Sequence, residues 1–232
     1  MRKCLMGLAL GALFACSAQA QVETVVVTGE RAGYGGGDAP GVTVVERADH
    51  LVTKVRVTCD TRDAQRRKDE LRQTLKDMIA EAKRTNSISL SIGDDILYEF
   101  KESSIDKIMT ADVRSDTSNA YVVIRTELSK SDTFETATQR IRDFVAHAPM
   151  NGRTEIMLEQ PFNLGLMKPE RYREELIAKI ADDSKHLAAQ FGPGYQVHVE
   201  GLQHAIQWFQ SGQLDLSLYI SYGLVISPSG TP

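Results

Sequence analysis

The sequence has few cysteines, few aromatic residues and no excess of positive charge. Its 232 residues include 3 cysteines, and aromatic residues make up 6% of the chain. The 27 lysine and arginine residues are outnumbered by 31 aspartate and glutamate residues, which gives a net charge of −4. A mildly acidic chain lacks the basic surface that attracts nucleic acid or anionic lipid. We therefore expect no nucleic-acid partner.

Recognisable catalytic motifs are also missing. The sequence contains no Gly-x-Ser-x-Gly, His-Glu-x-x-His or Cys-x-x-Cys motif. The glycine run of residues 33–37 is followed by Pro40-Gly41 and a β-type segment, whereas a phosphate-binding loop must open a helix. We expect no catalytic residues, no cofactor and no resident metal. An enzyme whose small-molecule or metal site is not visible in the sequence is the alternative from a different class.

The apolar stretch at the N-terminus indicates export. Arg2 and Lys3 precede an apolar run over residues 5–15, and Ala18-Gln19-Ala20 has the small-x-small pattern of a cleavage site. This layout predicts a secretory signal peptide over residues 1–20, cleaved between Ala20 and Gln21, and a periplasmic location. The apolar run is too short to span a bilayer as a permanent helix. The mature chain would keep 212 residues, with 25 basic and 31 acidic side chains.

Cysteine placement leaves one alternative route of export open. Leu13-Phe14-Ala15-Cys16 is similar to a lipoprotein box, in which Cys16 would be acylated and the protein anchored to the outer membrane. After either cleavage only Cys59 remains as an unmodified thiol, so no intrachain disulfide can form. Cys59 is in phase with Val55 and Val57 on an alternating strand, which predicts a small buried side chain.

Hydrophobic periodicity predicts an α+β fold, with an antiparallel or mixed sheet and about three amphipathic helices packed on one face. We divide the chain into a signal peptide (1–20), a short edge strand with a Gly-rich connector (21–41), an α+β domain (42–227) and a tail (228–232). No stretch of the mature chain approaches eighteen apolar residues, so we expect no membrane span. The predicted elements are strands at 51–59, 88–92, 96–100, 120–128, 154–162, 195–199 and 214–226, and helices at 63–84, 133–146 and 169–191.

The last third of the chain contains the candidate site residues. His198 and Glu200 share one strand face, and with His204 they are weak candidates for zinc ligands, although that face is the one that should meet solvent. Trp208-Phe209 lies between polar glutamines in a segment that we interpret as a loop. The pair is a candidate contact surface, or alternatively a loop folded back onto the core.

The element order resembles the SIMPL family of exported bacterial proteins over residues 22–227. The resemblance depends on Val25-Val-Val-Thr-Gly29, on the strand and long helix of residues 51–84, on Tyr121-Val-Val-Ile-Arg-Thr126 before a helix, on the helical segment 178–189 and on the terminal strand. This chain departs from the family pattern at residues 34–41, which look inserted, and at Ala48-Asp49, where Pro-Asp would be expected.

The resemblance implies a periplasmic α+β protein that acts through protein contacts, often as a homo-oligomer or with another envelope protein. It also implies a role in envelope or oxidative stress defence and no established catalytic residues. Residues 22–29 are in addition similar to the TonB box of outer-membrane receptors, although 212 residues cannot hold a receptor's plug and barrel. A TonB-linked accessory protein is therefore a further alternative.

Overall fold

The computed structural model describes residues 25–26, 41–94, 96–112, 114, 116–159 and 161–228. The cleavage site at Ala20 and Gln21, the lipoprotein cysteine Cys16 and residues 27–40 of the Gly-rich connector lie outside the described residues. So does the end of the tail, residues 229–232.

The described chain is an α+β structure with mostly antiparallel strands, which confirms the predicted fold class. The helices are α1 (Ala64–Arg84), the one-turn α2 (Ile105–Ile108), α3 (Phe134–His147) and α4 (Arg173–Phe191), with short 3₁₀ turns at Glu102–Ser104 and Pro169–Tyr172. The strands, in chain order, are β1 (Val25–Val26), β2 (Val44–Arg47), β3 (His50–Cys59), β4 (Ile88–Ile92), β5 (Ile96–Glu99), β6 (Thr110–Ala111), β7 (Ser118–Glu127), β8 (Thr154–Leu158), β9 (Asn163–Gly165), β10 (Tyr195–Glu200), β11 (Ile206–Gln210), β12 (Asp215–Ile220) and β13 (Gly223–Pro228).

An eight-stranded sheet forms the body of the protein. Its main path is β1-β5-β4-β7-β3-β8, with β6 added to β7 and β9 added to β3. The central pair β3 and β7 is antiparallel over ten residues of each strand, from His50 opposite Glu127 to Cys59 opposite Ser118. The predicted strand at 154–162 is shorter than expected. It ends at Leu158, and β9 then pairs with the other end of β3.

One face of this sheet is covered by helices because the alternation of β3 matches the apolar stripe of α1. Val55, Val57 and Cys59 have no exposed surface, which confirms the predicted burial of Cys59. Helix α1 begins at its predicted position, where the Asp63 carboxylate accepts a hydrogen bond from the backbone N–H of Arg66 at 2.7 Å. The buried residues of α1 recur at helical spacing: Arg67, Leu71, Thr74, Leu75, Met78, Ile79 and Ala82.

The predicted single strand at 214–226 is wrong, because the chain there forms two strands that belong to two sheets. Strand β12 lies in the three-stranded sheet β11-β12-β2, and β13 pairs with β10. The register changes between Ile206 opposite Ile220 and Glu200 opposite Gly223, so residues 201–205 face only residues 221–222. These unequal segments form a bulge, which ends one ladder and starts another.

The bulge has a defined geometry. Gly201 has φ +87°, a left-handed conformation that other residues rarely adopt, and the His204 ring Nδ1 lies 2.8 Å from the Ser221 carbonyl oxygen. We name the hairpin from β10 to β13 the terminal ribbon. Its inner half is β11 and β12, and its outer half is β10 and β13.

Among the described residues, no helix is both long enough and apolar enough to cross a bilayer.

Candidate functional site

The weak zinc candidates lie on the outer half of the terminal ribbon and beside it. The His198 Nε2 is 3.3 Å from the Glu200 Oε1, and the two side chains are 70% and 71% exposed. His204 lies in the bulge, where its ring contacts backbone. Within the part of the chain that the structure describes, no group of three or more His, Cys, Asp or Glu side chains could hold a metal ion.

The interpretation of Trp208-Phe209 as an exposed loop is wrong. Both residues belong to β11, so their side chains point to opposite faces, and Trp208 is only 4% exposed. Trp208 is part of the hydrophobic core, while Phe209 is half-buried with its ring centroid 6.2 Å from that of Tyr219. A contact surface for other proteins must therefore be sought away from Trp208.

One group of exposed apolar side chains lies at the end of α4 and the start of β10. A second group lies on strands of the large sheet: Ile96, Tyr98, Tyr121, Met157 and Leu158. The rings of Phe191 and Tyr195 have centroids 5.8 Å apart and lie one on each side of the turn that ends α4. We name as the outer surface the three apolar residues of this region that are exposed by between 37% and 55%: Leu187, Phe191 and Tyr195. Val225, which is 55% exposed, pairs with His198 and therefore lies on the opposite face of the ribbon.

Local sequence explains why α4 reaches this region. Pro169 opens a 3₁₀ turn that leads into the helix, and the helix continues for 19 residues to Phe191. Gly192, with φ +93°, then ends it. The buried residues of α4 are Leu176, Ile180 and Ser184, so its last seven residues extend past the core.

The outer half of the ribbon leaves strand edges open. In the described chain β10 pairs only with β13, and β13 only with β10. Each strand therefore has one edge with unpaired backbone N–H and C=O groups, which can pair with another strand. Val197, Val199, Leu224 and Ile226 share one ribbon face and are half-buried, and α4 packs against β10 on that face.

A polar network at the end of β3 was not foreseen from the sequence. The Glu70 Oε2 accepts hydrogen bonds from the Thr61 hydroxyl at 2.5 Å and the Cys59 thiol at 3.5 Å, and the Glu70 Oε1 accepts one from the Arg66 Nε at 2.7 Å. The backbone N–H of Arg153 also donates to Glu70. These hydrogen bonds, led by that of Thr61, lower the pKa of Glu70 to about 2. The network ties α1 to the ends of β3 and β8.

No known protein family matches the chain, and no curated protein matches it. The residues of the structure are therefore the basis for any proposal about its function.

Proposed function

We propose that this protein is exported to the bacterial cell envelope and works as a non-enzymatic assembly protein that associates with a second copy of itself. The observation that carries the proposal is the outer surface, where three large apolar side chains are exposed beside an open strand edge. Apolar residues grouped in this way are typical of interaction sites rather than of a solvated monomer surface.

The open edges favour a second copy of the chain as the partner. Strand β10 contains no proline, whereas β13 ends at Pro228, so β10 is the better edge for adding a strand. Antiparallel pairing of β10 with the same strand of a second copy would produce a two-fold symmetric, four-stranded sheet. A two-fold axis perpendicular to that sheet keeps both α4 helices on one face.

Pairing of this kind would also bury the outer surface. Antiparallel pairing would bring the Tyr195 end of one β10 next to the Glu200 end of the other, so Phe191 and Tyr195 of each copy would lie against the ribbon of its partner. A two-stranded ribbon is marginally stable alone, and two further strands would stabilise it. The export signal and the resemblance to the SIMPL family support an envelope location and a role in stress defence.

The test of self-association is light scattering on the mature protein, with a variant that changes only exposed side chains. We expect the wild type to have at least twice the monomer mass at micromolar concentration. Leu187→Glu combined with Phe191→Glu should give a folded monomer, because both side chains are solvent-exposed in one copy. The matched control is Met150→Glu, because Met150 is an apolar residue that is 53% exposed elsewhere in the protein. Leu128 would not serve as the control position, because its side chain packs against the core.

Three outcomes would contradict the proposed assembly. A monomeric wild type would exclude self-association at these concentrations. A folded double variant of unchanged mass would place the interface elsewhere, and an equal loss of mass in Met150→Glu would show that the effect is not specific to the outer surface.

The proposed location has a separate test. The intact mass of the protein recovered from its host should correspond to a chain that begins at Gln21, allowing for cyclisation of that residue to pyroglutamate. A chain that begins at an acylated Cys16 would instead make it a lipoprotein, and a chain that keeps residues 1–20 would contradict cleavage at Ala20.

A further inference from the structure

A cleft lies on the face of the large sheet opposite the helices, where β3, β7 and β8 have neighbouring ends. Its volume is about 510 Å³, within the range of about 300–1,000 Å³ that is usual for small-molecule sites. The cleft is far in sequence from the outer surface and shares no residue with it. Its lining consists of Arg56, Thr58, Asp60, Asp112, Arg114, Thr117, Arg153, Glu155 and Met157.

Two polar atoms of β3 that belong to this lining are buried without a hydrogen-bond partner. They are the Nε of Arg56 and the Oγ1 of Thr58, which point to the same sheet face because the residues are two apart. The nearest acid to the Arg56 Nε is Glu159, at 3.4 Å, in an ion pair without hydrogen-bond geometry. The Arg56 Nε is thus ion-paired but not hydrogen-bonded, and the Thr58 Oγ1 has neither kind of partner. Because buried polar groups are normally hydrogen-bonded, these two atoms side by side indicate a place for an external acceptor.

That acceptor must be an oxygen-bearing group. The Nε of arginine can only donate, and the hydroxyl of threonine can donate as well as accept. Arg114 also lines the cleft, and its guanidinium makes no hydrogen bond or ion pair with another described residue, although its charge acts on Asp60 at longer range. The guanidinium can therefore bind a ligand. Guanidinium groups favour planar carboxylates and phosphates because they can bind them through two parallel hydrogen bonds.

The acidic residues of the cleft favour a carboxylate over a phosphate as the ligand. Arg153 is already occupied by Asp60, with hydrogen bonds of 2.6 and 2.7 Å to its two carboxylate oxygens. The Glu155 carboxylate lines the cleft without a hydrogen bond or ion pair to another described residue, although its charge acts on Arg153. A phosphate with nearly two negative charges would be repelled by this carboxylate, whereas a ligand that also carries a positive group would be attracted.

We propose that the cleft binds a small zwitterion, an amino acid or short peptide, with its carboxylate on Arg56, Thr58 and Arg114 and its ammonium group facing Glu155. The Arg56 Nε and the Thr58 Oγ1 form the floor of the carboxylate site. Arg114 and Glu155 supply the opposite charges at its rim. The site is independent of self-association.

The first experiment is titration calorimetry on the mature protein with four probes: alanyl-alanine, N-acetyl-alanyl-alanine, acetate and inorganic phosphate. Alanyl-alanine should bind at least about tenfold more tightly than each of the others, because only it satisfies both charges. The acetylated dipeptide is the sharpest comparison, since it keeps the carboxylate and loses only the positive charge. No binding of alanyl-alanine at millimolar concentration, equal binding of the acetylated form, or tighter binding of phosphate would overturn the proposal.

The second experiment uses variants with matched controls. Thr58→Val and Arg114→Gln should each weaken alanyl-alanine binding about tenfold, because each removes a hydrogen bond to a charged group. Thr154→Val removes another buried, unpaired hydroxyl, on the opposite face of the sheet, and Arg62→Gln removes an exposed charge outside the cleft lining. Both controls should leave binding unchanged. Weakening by the controls as large as that by the cleft variants would assign the effect to the fold or to net charge and overturn the site.

Discussion

The inner and outer halves of the terminal ribbon have the same alternating sequence but different surroundings. Even-numbered apolar residues continue from Leu214 to Ile226 without a break. Those of the inner half, Leu214 to Ile220, are at most 4% exposed, whereas Tyr222, Leu224 and Ile226 of the outer half are only half-buried. Alternation therefore predicts which side chains share a face, but it does not predict what covers that face.

Helix α4 is divided in the same way. Leu176 and Ile180 are buried in the core, while Leu187 and Phe191 of the same helix are 37% and 55% exposed. The end of α4 and the outer half of the terminal ribbon thus both extend beyond the core. Their inner halves therefore lie in the core, whereas the apolar residues of their outer halves stay partly exposed in a single copy, as the proposed assembly requires.

The largest difference in stability is expected between two variants, one with a carboxylate in the inner half of the ribbon and one with a carboxylate in the outer half. Leu218→Asp should prevent folding, because Leu218 is fully buried and an unpaired buried carboxylate costs several kcal/mol against a typical total stability of about 5–15 kcal/mol. Val225→Asp, at a 55% exposed position of the outer half, should change the free energy of unfolding by less than about 0.5 kcal/mol. Circular dichroism and denaturant titration measure both.

The contrast would be refuted by either of two results. A folded Leu218→Asp protein would show that the inner half is not part of the cooperative core. Loss of folding in Val225→Asp would show that the outer half is as essential to the single copy as the inner half.

A smaller difference is expected across a single strand of the inner half. Trp208→Ala should cost about 3–5 kcal/mol, because the indole is in the core and its removal leaves a cavity. Phe209→Ala should cost clearly less, since Phe209 is half-buried on the opposite face. Equal losses in urea titrations would mean that both faces of β11 are covered.

Much of the fold could be predicted because it depends on local periodicity. The strand from His50 to Cys59, the helix that begins after Asp63 and the hairpin of β4 and β5 follow directly from alternation, helical spacing and turn residues. The break at Ser221 could not be predicted, because nothing in the alternating segment marks it. It arises from the longer opposing segment, residues 201–205.

The site residues were harder to predict, because their exposure depends on which distant elements pack over them in the folded chain. The pair Trp208-Phe209 lies between two glutamines, and only the pairing of β11 with β12 shows that Trp208 points inward. Phe191 continues the apolar stripe of α4, so sequence alone places it in the core. The cleft is formed by mostly charged residues from β3, β8 and the segments beside them, and their distant positions in the chain carry no shared motif.

A modest effect is expected at Cys59, which belongs to the central sheet rather than to the ribbon. The native thiol should resist a labelling reagent and react once the protein is unfolded, because Cys59 has no exposed surface. Cys59→Ser should cost about 1 kcal/mol, since the serine hydroxyl can replace the thiol as a donor to Glu70 while losing apolar burial. Fast labelling of the native protein would show that this end of the sheet opens.

The smallest effect is a difference in acid sensitivity between a carboxylate of the body and one of the outer ribbon. Glu70 has its pKa lowered from 4.5 to about 2, chiefly by the Thr61 hydroxyl and the Arg66 guanidinium. The unfolded chain therefore takes up this proton at a higher pH than the folded chain does. The contribution of Glu70 to stability is fully present above about pH 4.5 and is lost as the pH falls towards 2.

Glu70→Gln should accordingly be less stable than the wild type at pH 7 and should lose less stability between pH 5 and pH 3. Glu200→Gln is the matched variant, because its exposed carboxylate contacts only the exposed His198 on the outer ribbon, and surface pairs of this kind contribute little. It should reproduce the wild-type dependence of unfolding free energy on pH. If Glu200→Gln flattens that dependence as much as Glu70→Gln does, the acid response belongs to the outer ribbon, and the assignment of stability to the body of the protein is wrong.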